Sequence, residues 1–262
     1  FTTRNYRFTE NSEDLKRLKE KKIYHLNENG YNYISNLIKA YKDSVVYQFY
    51  GLVFKDELIN NERIRIPALK GTMGGRDYYM LSIEPSILLK IGFVLHRTKV
   101  NDSMAPTYQR LLVPSRLKGI TKFIDEGGYF PNSIIINFDS SSKKHEIRFE
   151  PSERSENSKS RFGYLSIPNE YGIAYIIDGQ HRVYGYAGSK YKSSNTIPVV
   201  AFNNMESYEQ LKIFMDINEN QKAVSPSLRL DLAEDINWES SRVDSRMLAL
   251  RSSIIKSLSR DS

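Results

Sequence analysis

Asp178-Gly179-Gln180-His181-Arg182 is the run of the chain best suited to chemistry. It follows Tyr171 to Ile177 (YGIAYII), a β-branched and aromatic stretch that predicts a buried strand. It precedes Val183 to Ala187, which predicts the start of a helix. Backbone N–H groups at a helix start, with the positive end of the helix dipole, attract anions. Gly179 lets the main chain approach a ligand closely. Arg182 carries the planar fork that grips a phosphate or a carboxylate. His181 donates to a phosphate or moves a proton near neutral pH. Asp178 caps the helix, holds a magnesium ion or takes a ribose hydroxyl. The plainer alternative stands beside this one: Asp-Gly is a common turn, and Asp178 then does no more than cap a helix.

Three further segments carry suitable residues. Pro106-Thr107-Tyr108-Gln109-Arg110 precedes a helical pattern. From Arg97 to Lys122 there are six basic residues (Arg97, Lys99, Arg110, Arg116, Lys118, Lys122) against one acid, Asp102, for a net +5. Basic side chains with an aromatic among them neutralise phosphates and stack on bases, which makes Arg110, Arg116, Lys118 and Lys122 candidates for DNA contact. For Lys118 and Lys122 a solvated helix face is the simpler reading. Lys70 to Arg76 (KGTMGGR) is glycine-rich, so Gly74 and Gly75 are candidate phosphate contacts. It lacks the GKS or GKT ending of a Walker loop, and spacing alone favours a hairpin turn. In Asp216 to Lys222 (DINENQK), the amides of Asn218, Asn220 and Gln221 suit a base edge or a helix end.

These segments need elements to position them. Leu15, Leu18, Ile23 and Leu26, then Tyr33, Ile34, Leu37 and Ile38, predict two short amphipathic helices separated by Asn29-Gly30. Val45 to Phe54 (VVYQFYGLVF) predicts a buried strand, and Asp56 to Arg63 a loop or a turn of helix. Strands are expected at Ile64–Leu69, Tyr78–Ile83, Phe93–Val100, Ser133–Phe138, Glu146–Glu150 and Ile197–Phe202. A short helix or buried segment is expected at Pro85–Ile91. Val113, Leu117, Ile120 and Ile124 form one helical stripe, with Pro114 in its first turn and Gly127-Gly128 at its end. Pro151 to Gly163 is polar and serine-rich and predicts a loop. Glu206 to Ile217 predicts a helix with Leu211, Phe214 and Met215 inward; Ser225-Pro226 opens another, and the tail from Trp238 to Leu258 is helical. The expected domains are a helical and strand extension over 1–63, a mixed α/β (α+β) core over 64–235, and the start of a helical region over 236–262.

Composition removes several functions. With no cysteine among 262 residues there are no disulfides, thiolate nucleophiles or thiolate zinc sites. Four scattered histidines leave little for a multi-histidine metal site, and GxSxG, HExxH and EF-hand patterns are missing. A net charge of +7 permits a polyanionic partner. The longest apolar run, Ile87 to Leu95, is interrupted by Lys90 and is far short of a membrane span. A cytoplasmic home without membrane contact is expected. The chain begins at Phe1, so a natural N-terminus upstream is expected too.

The DGQHR string of residues 178–182 is similar to the name-giving motif of the DGQHR-domain family, whose best-known members are the DndB-type proteins of bacterial DNA phosphorothioation. Gly71 to Gly75 before a tyrosine-rich strand, Thr107 to Arg110 ahead of a helix, and Phe214 to Gln221 followed by Ser225-Pro226 resemble that family in the same order. The likeness covers roughly Ile64 to Asp235. It implies a ParB/sulfiredoxin-like core in which a strand-to-helix turn binds the phosphates of a nucleoside triphosphate, ATP or CTP, with Mg2+. Carried over, Gly179, Gln180, His181 and Arg182 contact phosphates, with Gly74, Gly75, Tyr108, Gln109 and Arg110 as further contacts. Asp178 and His181 become the catalytic candidates, and Asp178 the metal ligand. Sulfiredoxin-like reduction is excluded, since Gln180 stands where that chemistry needs a cysteine. ParB-like segregation lacks a helix-turn-helix after the core. The resemblance implies a DNA modification or phage-defence protein, with DNA, a nucleotide and other proteins of a modification operon as partners. It is either an NTPase or a non-catalytic DNA-binding regulator of transcription. The sequence leaves the oligomeric state open, a homo-oligomer included.

Overall fold

The structure is a computed structural model that describes residues 13–21, 23, 28–41, 44–55, 57–94, 112–140, 146–154, 158–221, 237–238 and 243–260. Eight strands form one mixed sheet: β1 (Leu58–Met73), β2 (Arg76–Ile83), β3 (Gly92–Phe93), β4 (Ile134–Phe138), β5 (Arg148–Arg154), β6 (Arg161–Glu170), β7 (Ala174–Asp178) and β8 (Ile197–Asn203). Their order is β3-β7-β4-β8-β2-β1-β6-β5. β3 runs parallel to β7 and β4 parallel to β8; the remaining pairs are antiparallel. The described helices are α1 (Glu13–Glu20), α2 (Glu28–Tyr41), α3 (Val45–Val53), α4 (Pro85–Ile91), α5 (Pro114–Asp125), α6 (Gln180–Gly185), α7 (Ser207–Gln221) and α8 (Val243–Arg260). The fold is α/β, as the mixed pattern predicts. Among the described residues no helix is long and apolar enough to cross a membrane.

The main core lies on one face of the sheet. Ile83, Ile136, Ile167 and Ile176 meet Leu88, Leu117, Ile124 and Val183 from the helices, and all are buried. α7 covers part of the other face. Its Phe214 and Ile213 pack on the cluster of Ile177, Phe202 and Met205. The alternation of Ile176 and Ile177 between the two cores is the period-two signature of a strand covered on both sides.

Several expectations are corrected. Val45–Val53 is a helix, not a strand. Its β-branched and aromatic composition favours extended chain, but burial falls at Val45, Gln48 and Gly51, which is helical spacing. Gly51 lets the Phe93 ring come within 2.6 Å of where a Cβ would be. Gln48 stands in for a neighbouring strand: Nε2 donates to Val94 O at 2.6 Å, and Val94 N–H donates to Oε1 at 3.2 Å. Tyr184 O–H donates to the same Oε1 at 2.7 Å. A buried glutamine thereby satisfies the main chain next to β3.

Asn29-Gly30 lies inside the first turn of α2 and does not separate one helix from another. Gly30 is buried in that turn. The segment 58–63, expected as a loop, opens β1, which runs straight through the boundary expected near Arg63. It reads as polar because this stretch is mostly exposed, pairing with β6 from Leu58↔Glu170 to Arg63↔Pro168. The predicted 151–163 loop is shorter, because β5 extends to Arg154 and β6 starts at Arg161. Gly163 packs against β5, where a Cβ would stand 2.3 Å from Glu150 O. The strand expected over Phe93–Val100 begins at Gly92 and ends at Phe93. Its continuation from residue 95, and the helix opened by Ser225-Pro226, lie outside the described residues.

Gln48→Leu strands the Val94 peptide groups and the Tyr184 hydroxyl in the core. It is expected to lower stability by about 3 kcal/mol, read from the urea midpoint at unchanged slope. Tyr184→Phe, which removes one of those bonds, is expected to lower it by less.

Candidate phosphate site

The turn after β7 is built around a residue without a side chain. Gly179 has φ 93° and ψ 14°, in the left-handed region. A Cβ there would stand 2.5 Å from Ile134 Cδ1 and 3.0 Å from Arg182 Nη2. α6 starts at once, with Arg182 N–H and Val183 N–H both donating to Gly179 O. Gln180 is buried; His181 and Arg182 are partly so.

Arg182 turns inward. Nη2 donates to Asp178 Oδ2 at 2.9 Å and to Ser133 O at 3.3 Å, and Nη1 donates to Asn132 O. The guanidinium thus ties the turn to the chain that leads into β4. Its side chain is only 17% exposed and that of Asp178 24%, so the pair is shielded from solvent. Burial pulls the Arg182 pKa down while Asp178 pushes it back up.

His181 meets α5. Its Nε2 accepts from Val113 N–H at 3.3 Å, which leaves Nδ1–H as the ring's donor. Burial, and then the Arg116 guanidinium, pull its pKa down to about 4 from the ordinary 6.5. The ring is neutral at neutral pH and acts as a hydrogen-bond partner rather than as a charge.

α5 and α6 lie side by side and run the same way. Val113, the residue before α5, is beside His181 in the first turn of α6. At the other end, Thr121 Oγ1 donates to Gly185 O at 2.7 Å. A Cβ on Gly185 would stand 2.3 Å from Ile120 Cγ2, so the helices cross where there is no side chain. Neither helix has an acidic residue in its first turn, and neither Val113 nor Gly179 caps with a side chain. Two positive helix ends therefore share one place.

The sheet register separates the other candidates. Asp178 pairs with Ile135, which pairs with Val200, which pairs with Met80. Gly74 and Gly75, both with positive φ, turn the β1–β2 hairpin six residues further along β2. At about 3.3 Å per residue that is about 20 Å towards the opposite end of the sheet. The structure does not bring this hairpin to the DGQHR turn. α7 does lead there. It starts near the hairpin, where Glu209 pairs with Arg76, and passes Phe214 over the cluster of Ile177. Asn218 lies one turn on and donates through Nδ2 to Phe214 O at 2.6 Å, so its amide closes on its own helix. The side chains of Asn220 and Gln221 lie outside the described residues, as do Tyr108, Gln109 and Arg110. Arg116, Lys118 and Lys122 are exposed on α5, and Lys122 pairs with Glu126 at 3.7 Å.

The turn's donor set does not suit a metal ion. Asp178 is engaged by Arg182, and among the described residues no three His, Asp or Glu side chains gather to hold one. Sequence reasoning missed the groups that shape the turn: Val113 N–H, the carbonyls of Asn132 and Ser133, and Gly185. These are main-chain groups and a contact, with no signature in residue type.

A family model of DndB, described as DNA-sulfur modification-associated, matches residues 66–244. No curated protein and no solved structure matches the chain.

Gly179→Ala is expected to cost about 2 kcal/mol or more, since left-handed backbone strain adds to the overlap with Ile134. Denaturant titration checks it. His181 gives a second expectation. Unfolded, the ring takes a proton below about pH 6.5; folded, it resists down to about 4. Stability is therefore full above pH 6.5 and falls as the pH drops towards 4, by at most about 1.4 kcal/mol per pH unit. His181→Asn should flatten that stretch of the profile relative to wild type.

Proposed function

The chain belongs to the DndB family of DNA-sulfur modification-associated proteins, and on that premise we propose that it binds a nucleoside triphosphate at the turn after β7. The nucleotide, ATP or CTP, is held by its phosphates, in the service of a DNA modification or phage-defence system. The observation that carries this reading is the pairing of two helix starts at the end of a buried strand, with no acid in either first turn. Such a place stabilises an anion through oriented N–H dipoles. Gly179 sets the sharp turn from β7 into α6, and His181 in the first turn of α6 keeps one ring N–H as a neutral donor.

Binding is better supported than turnover. Hydrolysis needs a group that positions water and charge to offset the leaving phosphate. Asp178 is tied to Arg182, and His181 already accepts from Val113. Among the described residues the chain offers magnesium no ligand set of its own here, so any ion would come with the triphosphate. Isothermal titration of ATP and CTP against the purified chain, with and without magnesium, tests the reading. Saturable binding of one of them at micromolar to millimolar concentration is expected, and Gly179→Ala should abolish it. Absence of binding by both at millimolar concentration overturns it.

A second reading has its own observation. Lys118 and Lys122 are exposed and one turn apart on α5, which suits a non-catalytic regulator that grips the DNA backbone. That reading predicts salt-sensitive DNA binding. Lys118→Ala should lower the slope of log K against log salt by about 1. An unchanged slope in fluorescence anisotropy counts against this face.

A further inference from the structure

Helix α8 turns its large side chains outward. Val243, Met247, Leu250 and Ile254 are 63%, 47%, 44% and 51% exposed. Among its described side chains only small ones, Ala249 and Ser252, are buried. The four apolar residues are spaced four, three and four apart, the spacing of a coiled-coil seam. At about 100° per residue they fall within about 60° of one another round the helix. Ala249 and Ser252 lie roughly 100–180° away from them on the same count. The helix therefore rests on the chain through one side and presents the apolar stripe on the other. Single exposed apolar residues are ordinary on a protein surface, but four on one line make a patch that fits a partner.

The charges beside the stripe select that partner. Asp244 follows Val243, Arg246 precedes Met247 and Arg251 follows Leu250, and all three are exposed. We propose that the stripe pairs with the same stripe of a second copy of the chain, the two helices antiparallel about a two-fold axis. Val243 then meets Ile254 of the second copy, and Met247 meets its Leu250. Asp244, between the layers of Val243 and Met247, comes opposite Arg251, between those of Leu250 and Ile254. The two-fold axis makes that ion pair twice. Arg246 comes opposite Ser253, so no like charges meet across the seam. Parallel pairing instead sets Arg246 against Arg251 twice, which repels. Ala249 and Ser252 hold each helix from its far side, so the bodies lie outside the pair. This surface is separate from the turn after β7 and does not rest on the nucleotide reading.

Sedimentation equilibrium of the purified chain across the micromolar range tests the pairing. Wild type is expected to approach twice its 30.4 kDa as concentration rises. Leu250→Glu buries a charge in the seam and should weaken association about tenfold or more. Leu248 is exposed on α8 but lies off the stripe, so Leu248→Glu should leave association unchanged. Asp244→Arg should weaken it, and Asp244→Arg combined with Arg251→Asp should restore it, because the two charges exchange places. These side chains are exposed, so each variant is expected to keep the wild-type melting temperature and circular dichroism. A wild type that stays monomeric across the range overturns the proposal. So does a dimer that survives Leu250→Glu, which places the interface elsewhere. A dimer that Leu250→Glu breaks but the charge exchange does not restore is not antiparallel at this seam, and the proposal falls with that result too.

Discussion

Gly179 takes a left-handed conformation between a strand buried on both faces and a helix of six residues, and the neighbouring groups are arranged around the side chain it lacks. The space that a Cβ would need is filled by Ile134 and by the Arg182 guanidinium. That closeness lets Arg182 reach Asp178 before the turn and the carbonyls of Asn132 and Ser133 across it. One cation thereby locks the end of β7, the start of α6 and the approach to β4. A shielded pair with several hydrogen bonds is costly to break from one side, which makes the turn a rigid platform.

A second absent side chain, at Gly185, sets what the platform faces. Because α5 can lie directly on α6 there, the helices run alongside each other with their starts together. Parallel helices with adjacent starts gather positive potential at one point, and no first-turn acid offsets it. Val113 N–H donates to His181 Nε2 and orients the imidazole, while burial holds it neutral. The motif's own arginine is spent on structure, bonded to Asp178 and to the carbonyls of Asn132 and Ser133.

The sheet adds a polarity to the molecule. Its DGQHR end lies about 20 Å by strand rise from the glycine hairpin of β1 and β2. The hairpin end has its own fastening, with Arg76 on Glu209 at the start of α7 and Lys70 on Asp77. Near the far end of β7, Lys55 meets Tyr175 and Asp139, so α3 is held to the sheet there. Local stabilisation at that end is distinct from the DGQHR end.

How much of this the residues alone disclose follows from the range of the forces involved. Strand β7, the turn, the amphipathic stripe of α5 and the family likeness are local patterns, and Asp178 to Arg182 could be singled out from types and spacing. Val45–Val53 could not be read correctly, because its β-branched composition argues for a strand and only Gln48 bonding to Val94, 46 residues away, and Gly51 under Phe93 make a helix the better solution. Gly74-Gly75 resembles a phosphate loop, yet strand register carries it to the other end of the sheet. Sequence determined the chemistry available: no thiols, few imidazoles, a basic stretch and one glycine turn after a buried strand. Tertiary structure alone decided which of those groups share a space, since partner choice for Arg182 and the neighbourhood of Arg116 depend on contacts between segments dozens of residues apart, and residue types do not encode distance.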